Sequence, residues 1–188
     1  MTELEIKFRN ETMSINGREY NYAHGQRNIF LWREDENFGY KILTKTRGVE
    51  RLLKEGELEN ITSFTLNEKE LNKICFIHNE MNKSKLAPKC YELVNFNNKF
   101  LAIKMERIIG EHPKKDPNKS KYQNRKSYLA PELKRKFNQT FSDLGVKSMA
   151  RERVVMRRNY VICSKTKQTF LIDIDWQFVR DDIQGRIL

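Results

Sequence analysis

No apolar run in this sequence approaches the roughly 20 residues needed to cross a bilayer, and the opening stretch MTELEIKFRN lacks the basic-then-apolar layout of a secretory signal. Both absences predict a cytoplasmic protein with no membrane partner. Cysteine is scarce: Cys75, Cys90 and Cys163 are the three present, far apart and without a C-x-x-C pair. Such a set builds neither a disulfide framework nor a zinc site, and the expectation for all three is a small buried hydrophobe. The three histidines, His24, His78 and His112, stand at no metal-ligand spacing from one another or from the cysteines. No Ser-His-Asp order stands out, and there is no internal repeat.

Lysine and apolar residues are what the chain does have. Its formal charge is +11 and its pI near 9.6, a balance that suits a polyanionic partner: nucleic acid, nucleotide phosphates or an acidic protein face. With 38% hydrophobic and 11% aromatic residues the chain carries too much apolar material for disorder. Its mean hydropathy of -0.76 suits folding in water. A length of 188 residues is enough for one domain with a full core, or for two small lobes.

Short segments rich in Ile, Phe, Tyr and Trp open the chain. EIKFRN, REYNYA, NIFLWRE and FGYKILTK, separated by the turn-like ING, HGQR and EDEN, predict an antiparallel meander. VERLLKEGEL predicts a short helix broken at Gly56. A clearer helix follows in TLNEKELNKICFIHNEM, with Leu71, Ile74, Cys75, His78 and Met81 at helical spacing and an Asn67 cap answered by Glu70. KCYELVNF and KFLAIKMERI flank NNK as a hairpin. GEHPKKDPNKSKYQNRKSYLAP is a basic linker, and PELKRKFNQTFSDLG a helix from Pro131 to Gly145 with Leu133, Phe137, Phe141 and Leu144 as its apolar face. Last, NYVIC and TFLIDID form a second hairpin around SKTKQ. The fold class is therefore α+β with mostly antiparallel pairing.

In this order the motifs resemble the protein-kinase-like superfamily, in its atypical branch near aminoglycoside and choline phosphotransferases. FGYKILTK is similar to the third strand of the small lobe, whose lysine, here Lys41, would reach nucleotide phosphates. The helix bearing Glu68 and Glu70 resembles the one whose glutamate pairs with that lysine, and Glu70 is the better placed. FLAIKMERIIGE is similar to the fifth strand and hinge. The resemblance makes Met105 the gatekeeper-like position and turns backbone groups of Glu106, Arg107 and Ile108 to adenine. NYVICSKTKQTFLIDID resembles the hairpin that brings a metal-binding asparagine, Asn159, beside a metal-binding aspartate. Asp173 fits one family spelling and Asp175 another, and the separation from Asn159 favours Asp173.

The resemblance implies an antiparallel-sheet N-terminal lobe over 1–106 with one main helix, joined by a hinge to a small, truncated C-terminal lobe over 107–188. It implies ATP and Mg2+ as ligands and a phosphotransferase as the activity. Two departures bear on that activity. The catalytic-loop aspartate would stand at Val154, in a segment whose only carboxylate is Glu152. The glycine-rich phosphate loop would fall in YAHGQRNIFLW, which has Gly25 alone. Both a minimal phosphotransferase and a pseudokinase acting through binding stay open.

The competing class is a non-catalytic basic protein that binds nucleic acid or an acidic partner protein, such as a viral or mobile-element regulator. Its carriers would be the basic segments 114–136, where Tyr122 and Tyr128 interleave with lysines, and 151–158, with Arg151, Arg153, Arg157 and Arg158.

Overall fold

A computed structural model describes residues 6–9, 12–15, 17–45, 47, 49, 64–96, 100–114, 117–118, 131–145 and 159–174. The expected helix over 49–58, Asp175 and the arginines of 151–158 lie outside them, apart from Val49.

The chain is α+β and divides into two compact units, residues 1–75 with 90–107 and residues 76–89 with 108–188. In the first unit, β1 (Ile6–Arg9), β2 (Thr12–Ile15), β3 (Arg18–His24), β4 (Asn28–Trp32), β5 (Phe38–Leu43), β6 (Cys90–Phe96) and β7 (Phe100–Glu106) form one sheet. The strand order is β1-β2-β3-β4-β5-β7-β6, and every pairing is antiparallel. The helix α1 (Glu68–Lys83) lies between β5 and β6 in the chain and contributes its first half to this unit and its second half to the other.

Alternation explains the strands. β4 reads half-buried, buried, half-buried along NIFLW, with Ile29 and Leu31 fully inside. Ile29, Leu31, Ile42, Ala102, Met13, Ile15, Tyr20, Val49 and Phe100 make one apolar core, with Tyr22, Tyr40 and Phe96 packed against it. Tyr40 is the hub of its rings, edge-on to Tyr20 at 5.9 Å, Phe38 at 5.8 Å and Phe96 at 5.5 Å. Strand β2 is one element that the sequence reading passed over. Its four residues alternate as strand residues do, but are too few to stand out beside the ING turn, where Gly17 takes a φ of +76°.

α1 begins with the expected capping box. The Glu70 amide donates to Asn67 Oδ1 and the Asn67 amide donates to Glu70 Oε2, both at 2.9 Å. Leu71, Ile74, Ile77, His78 and Met81 are its buried stripe.

In the second unit, β8 (Gly110–Glu111), β9 (Tyr160–Cys163) and β10 (Thr169–Leu171) pair in the order β10-β9-β8. The helix α2 (Pro131–Asp143) buries Phe137 and Phe141, and the Phe137 ring meets Tyr160 edge-on at 5.4 Å. β8 was part of the expected linker: two residues carry no periodicity, and their pairing with Ile162 and Cys163 is a tertiary event. The loop after α1 is tied to β10, with the Leu171 amide donating to the Leu86 carbonyl and Gln168 Nε2 to the Lys85 carbonyl, each at 2.8 Å.

All three cysteines are free, but only Cys90 is fully buried. The expectation of three buried hydrophobes is corrected at Cys75, on the flank of α1, and at Cys163, which ends β9 before an exposed turn; both are half-buried.

Candidate functional site

Lys41 sits in the middle of β5 and is 3% exposed, which is unusual for a lysine in any strand. Strand alternation puts Gly39, Lys41 and Leu43 on the sheet face opposite the Leu31–Ile42–Ala102 core. The cross-strand partners of Lys41 are Phe30 and Ile103, and those of Gly39 are Trp32 and Met105. One face of the first unit therefore carries Phe30, Trp32, Gly39, Lys41, Ile103 and Met105 together. Met105 is buried there and continues to Cys90 of β6.

Cys90 connects this face to α1. Its thiol donates a hydrogen bond to Cys75, which holds the Cys75 thiol below its usual range. The same bond, together with burial, pushes Cys90 up, while the nearby charge of Lys41 acts in the opposite sense.

Glu70 is engaged differently from the sequence expectation. Its Oε2 belongs to the capping box, and its Oε1 forms a 3.0 Å ion pair with Lys45. Lys45 lies four residues past Lys41, just beyond the end of β5. The reason is geometric: a residue at the third position of a helix has its carboxylate drawn back to the first turn, where it caps the helix and meets whichever cation lies at that end.

The stretch after Met105 is anchored by Arg107. Its backbone amide donates to the Asn37 carbonyl at 3.0 Å, continuing the β5–β7 ladder past Glu106, which stands opposite Phe38. Its guanidinium donates to the Arg33 carbonyl at 2.9 Å and to Glu34 Oε2 at 2.8 Å, and lies over the Trp32 ring at 5.5 Å. Glu34 also accepts from Trp32 Nε1 at 3.1 Å and from Asn21 Nδ2 at 3.3 Å. The bonds from Arg107 first, and then from Trp32, hold the Glu34 carboxyl below its ordinary value. Of the three residues expected to turn backbone groups to adenine, Arg107 thus has its amide committed inside the sheet. Ile108 is half-buried and begins the longer segment of the second unit.

The second unit holds the hairpin residues. Asn159 immediately precedes β9 and is 6% exposed. Its carbonyl accepts the Ile172 amide at 2.8 Å, extending the β9–β10 pairing by one step beyond Tyr160 and Leu171. Asp173, half-buried, is the next residue. An amide oxygen and a carboxylate are hard donors of the kind magnesium takes, so the residue types at this end of the hairpin fit that ion. Among the described residues no group of three or more His, Cys, Asp or Glu forms a metal cluster.

Sequence reasoning missed the Phe30–Gly39 contact, the Arg107–Glu34–Trp32 cluster and the choice of Lys45 by Glu70. The alternation in FGYKILTK, which lines up Gly39, Lys41 and Leu43, was the one available signal. No protein-family model matches the chain, and no curated protein matches its sequence. No helix among the described residues is long and apolar enough to cross a membrane.

Proposed function

We propose that this chain is a compact, kinase-like nucleotide-binding protein that takes ATP with Mg2+ and acts as a minimal phosphotransferase or as a pseudokinase. The observation that carries this reading is the adjacency of two stretches some sixty residues apart. FGYKILTK and FLAIKMERIIGE, likened to the third and fifth strands of a small lobe, are β5 and β7 side by side, in the register Lys41 with Ile103 and Gly39 with Met105. α1 enters the chain after β5, where the resemblance expects its helix. The pairing of Asn159 with Ile172, next to Asp173, adds independent support.

On this reading Lys41 neutralises nucleotide phosphates, and Asn159 and Asp173 hold the cation with hard oxygens. The resemblance sets the base's end of the site beside Met105 and the backbone of Glu106 and Ile108. Asp175 is the alternative cation ligand. Bound ATP and magnesium supply a transferable phosphoryl group; the chain's own residues bind and orient it. Because Val154 stands where a loop aspartate would orient the acceptor hydroxyl, binding without transfer is the expected outcome in a radiolabelled phosphate assay.

Magnesium ATP should raise the melting temperature of the wild type and leave Asp173→Ala and Lys41→Met unshifted. A wild type that responds to neither nucleotide nor metal would sink the proposal. The rival reading draws on Lys134, Arg135 and Lys136, three consecutive exposed residues of α2. It predicts nucleic-acid affinity that falls steeply with salt and with charge reversal at those positions.

A further inference from the structure

A glycine on the inner face of a central strand marks close approach by something flat or large. At Gly39 a side-chain Cβ would run into the ring of Phe30 and come within 2.6 Å of the Leu31 carbonyl oxygen. Phe30 is the cross-strand partner of Lys41 and not of Gly39. Its ring therefore leans along the sheet and lies on the bare backbone of Gly39, in the row that ends at Met105. Trp32 stacks behind it, with centroids 6.0 Å apart and planes 26° from parallel. Arg107 lies over the Trp32 ring, itself fixed by Glu34 and the Arg33 carbonyl. The arrangement is braced by hydrogen bonds at one end and by strand pairing at the other, all within the first unit.

Gly39 occupies the stretch of sheet that joins Lys41 to the Met105–Glu106 end of β7. If phosphates meet Lys41 and the base meets the residues after Met105, the base must pass over this backbone. A strand glycine bared in this way seats one flat ring, and Phe30 is already that ring.

We infer that Phe30 fills the seat of the nucleotide's base, so that the protein recognises the magnesium polyphosphate end of its ligand and does not read the base. This rests on the reading in the preceding subsection, and it names the ligand class more narrowly: magnesium complexes of nucleoside or inorganic polyphosphates, without preference among bases. Phe30 is a specificity-determining residue in this scheme and takes no part in holding phosphate or metal.

Titration calorimetry of the full chain with magnesium ATP and with magnesium tripolyphosphate tests it. The wild type should bind the two with dissociation constants that differ by less than about threefold. Phe30→Val, which keeps a strand-forming side chain but removes the ring, should gain about tenfold for ATP, the size of one base-stacking contact, and nothing for tripolyphosphate. A wild type that prefers ATP by about tenfold or more overturns the inference while leaving the nucleotide-binding proposal intact, and needs no variant. So does a Phe30→Val protein, folded by its melting curve, that binds ATP less tightly or shifts both ligands equally. Failure of the wild type and of Phe30→Val to bind either ligand removes the nucleotide-binding proposal, and this inference with it.

Discussion

The two faces of the seven-stranded sheet are built from the same strands by alternate residues, yet they are unlike. One face is an ordinary apolar core of Leu31, Ile42, Ala102 and their neighbours. The other carries a buried lysine, a glycine with an aromatic ring lying on it, and a hydrogen-bonded pair of thiols. A lysine only 3% exposed in the middle of a strand is uncommon, since taking a charge out of water costs free energy that apolar packing does not. The contrast between neighbouring residues of β5, Lys41 and Ile42, both buried but on opposite faces, is the clearest difference between the two faces.

Breaking the apolar face should cost most. Ile42→Ala removes a side chain that is 1% exposed and should lower stability by about 2–5 kcal/mol in denaturant titration. On the other face, Gly39→Ala should lose about 1–3 kcal/mol, because the Phe30 ring can move but the Leu31 carbonyl oxygen, 2.6 Å from the new carbon, cannot. If Gly39→Ala is neutral, the account of a tightly covered glycine is wrong.

Two effects of about 1 kcal/mol bear on the supporting elements. Asn67→Ala deletes the cap acceptor of α1 and should reduce stability by about that amount. Tyr160→Phe should raise it by about as much. The Tyr160 hydroxyl is buried with no hydrogen-bond partner among the described residues, and burial pushes its ionisation up. A destabilised Tyr160→Phe would mean that the hydroxyl is satisfied after all.

The smallest effect is a pH dependence at the cluster that braces Trp32. Glu34 is held below its ordinary value of 4.5, first by Arg107 and then by Trp32. Its folded pKa is depressed, so its contribution is complete above pH 4.5 and fades as pH falls through the folded value. Glu34→Gln should make the acid side of the melting-temperature profile shallower, with no change in slope near neutral pH.

The second unit gives a useful contrast with the first. Its hairpin was read from the sequence with both ends in place, since Tyr160, Val161 and Ile162 pair with Leu171, Phe170 and Thr169. SKTKQ is polar enough to announce a turn between two apolar runs. Among the described residues of this unit only β8 escaped, because a two-residue strand has no period to read. In the first unit the strands with a strong alternation were legible, as were the helix, its cap and its buried stripe. β2 was lost beside the ING turn, its four residues too few to stand out. Of the candidate site, the residues were legible as types at intervals along the chain, but their partners were not.

What the sequence determined by itself is whatever depends on neighbours within a few residues: the periods of strand and helix, the Asn67–Glu70 box, the start of α2 at Pro131 and the turn glycines. Tertiary structure alone decided that Glu70 meets Lys45, that Phe30 leans past Lys41 onto Gly39, and that Arg107 closes on Glu34 across more than seventy residues. Each of those contacts depends on register and side-chain direction between segments far apart in the chain. Local propensity carries no information about such distances until the sheet is assembled.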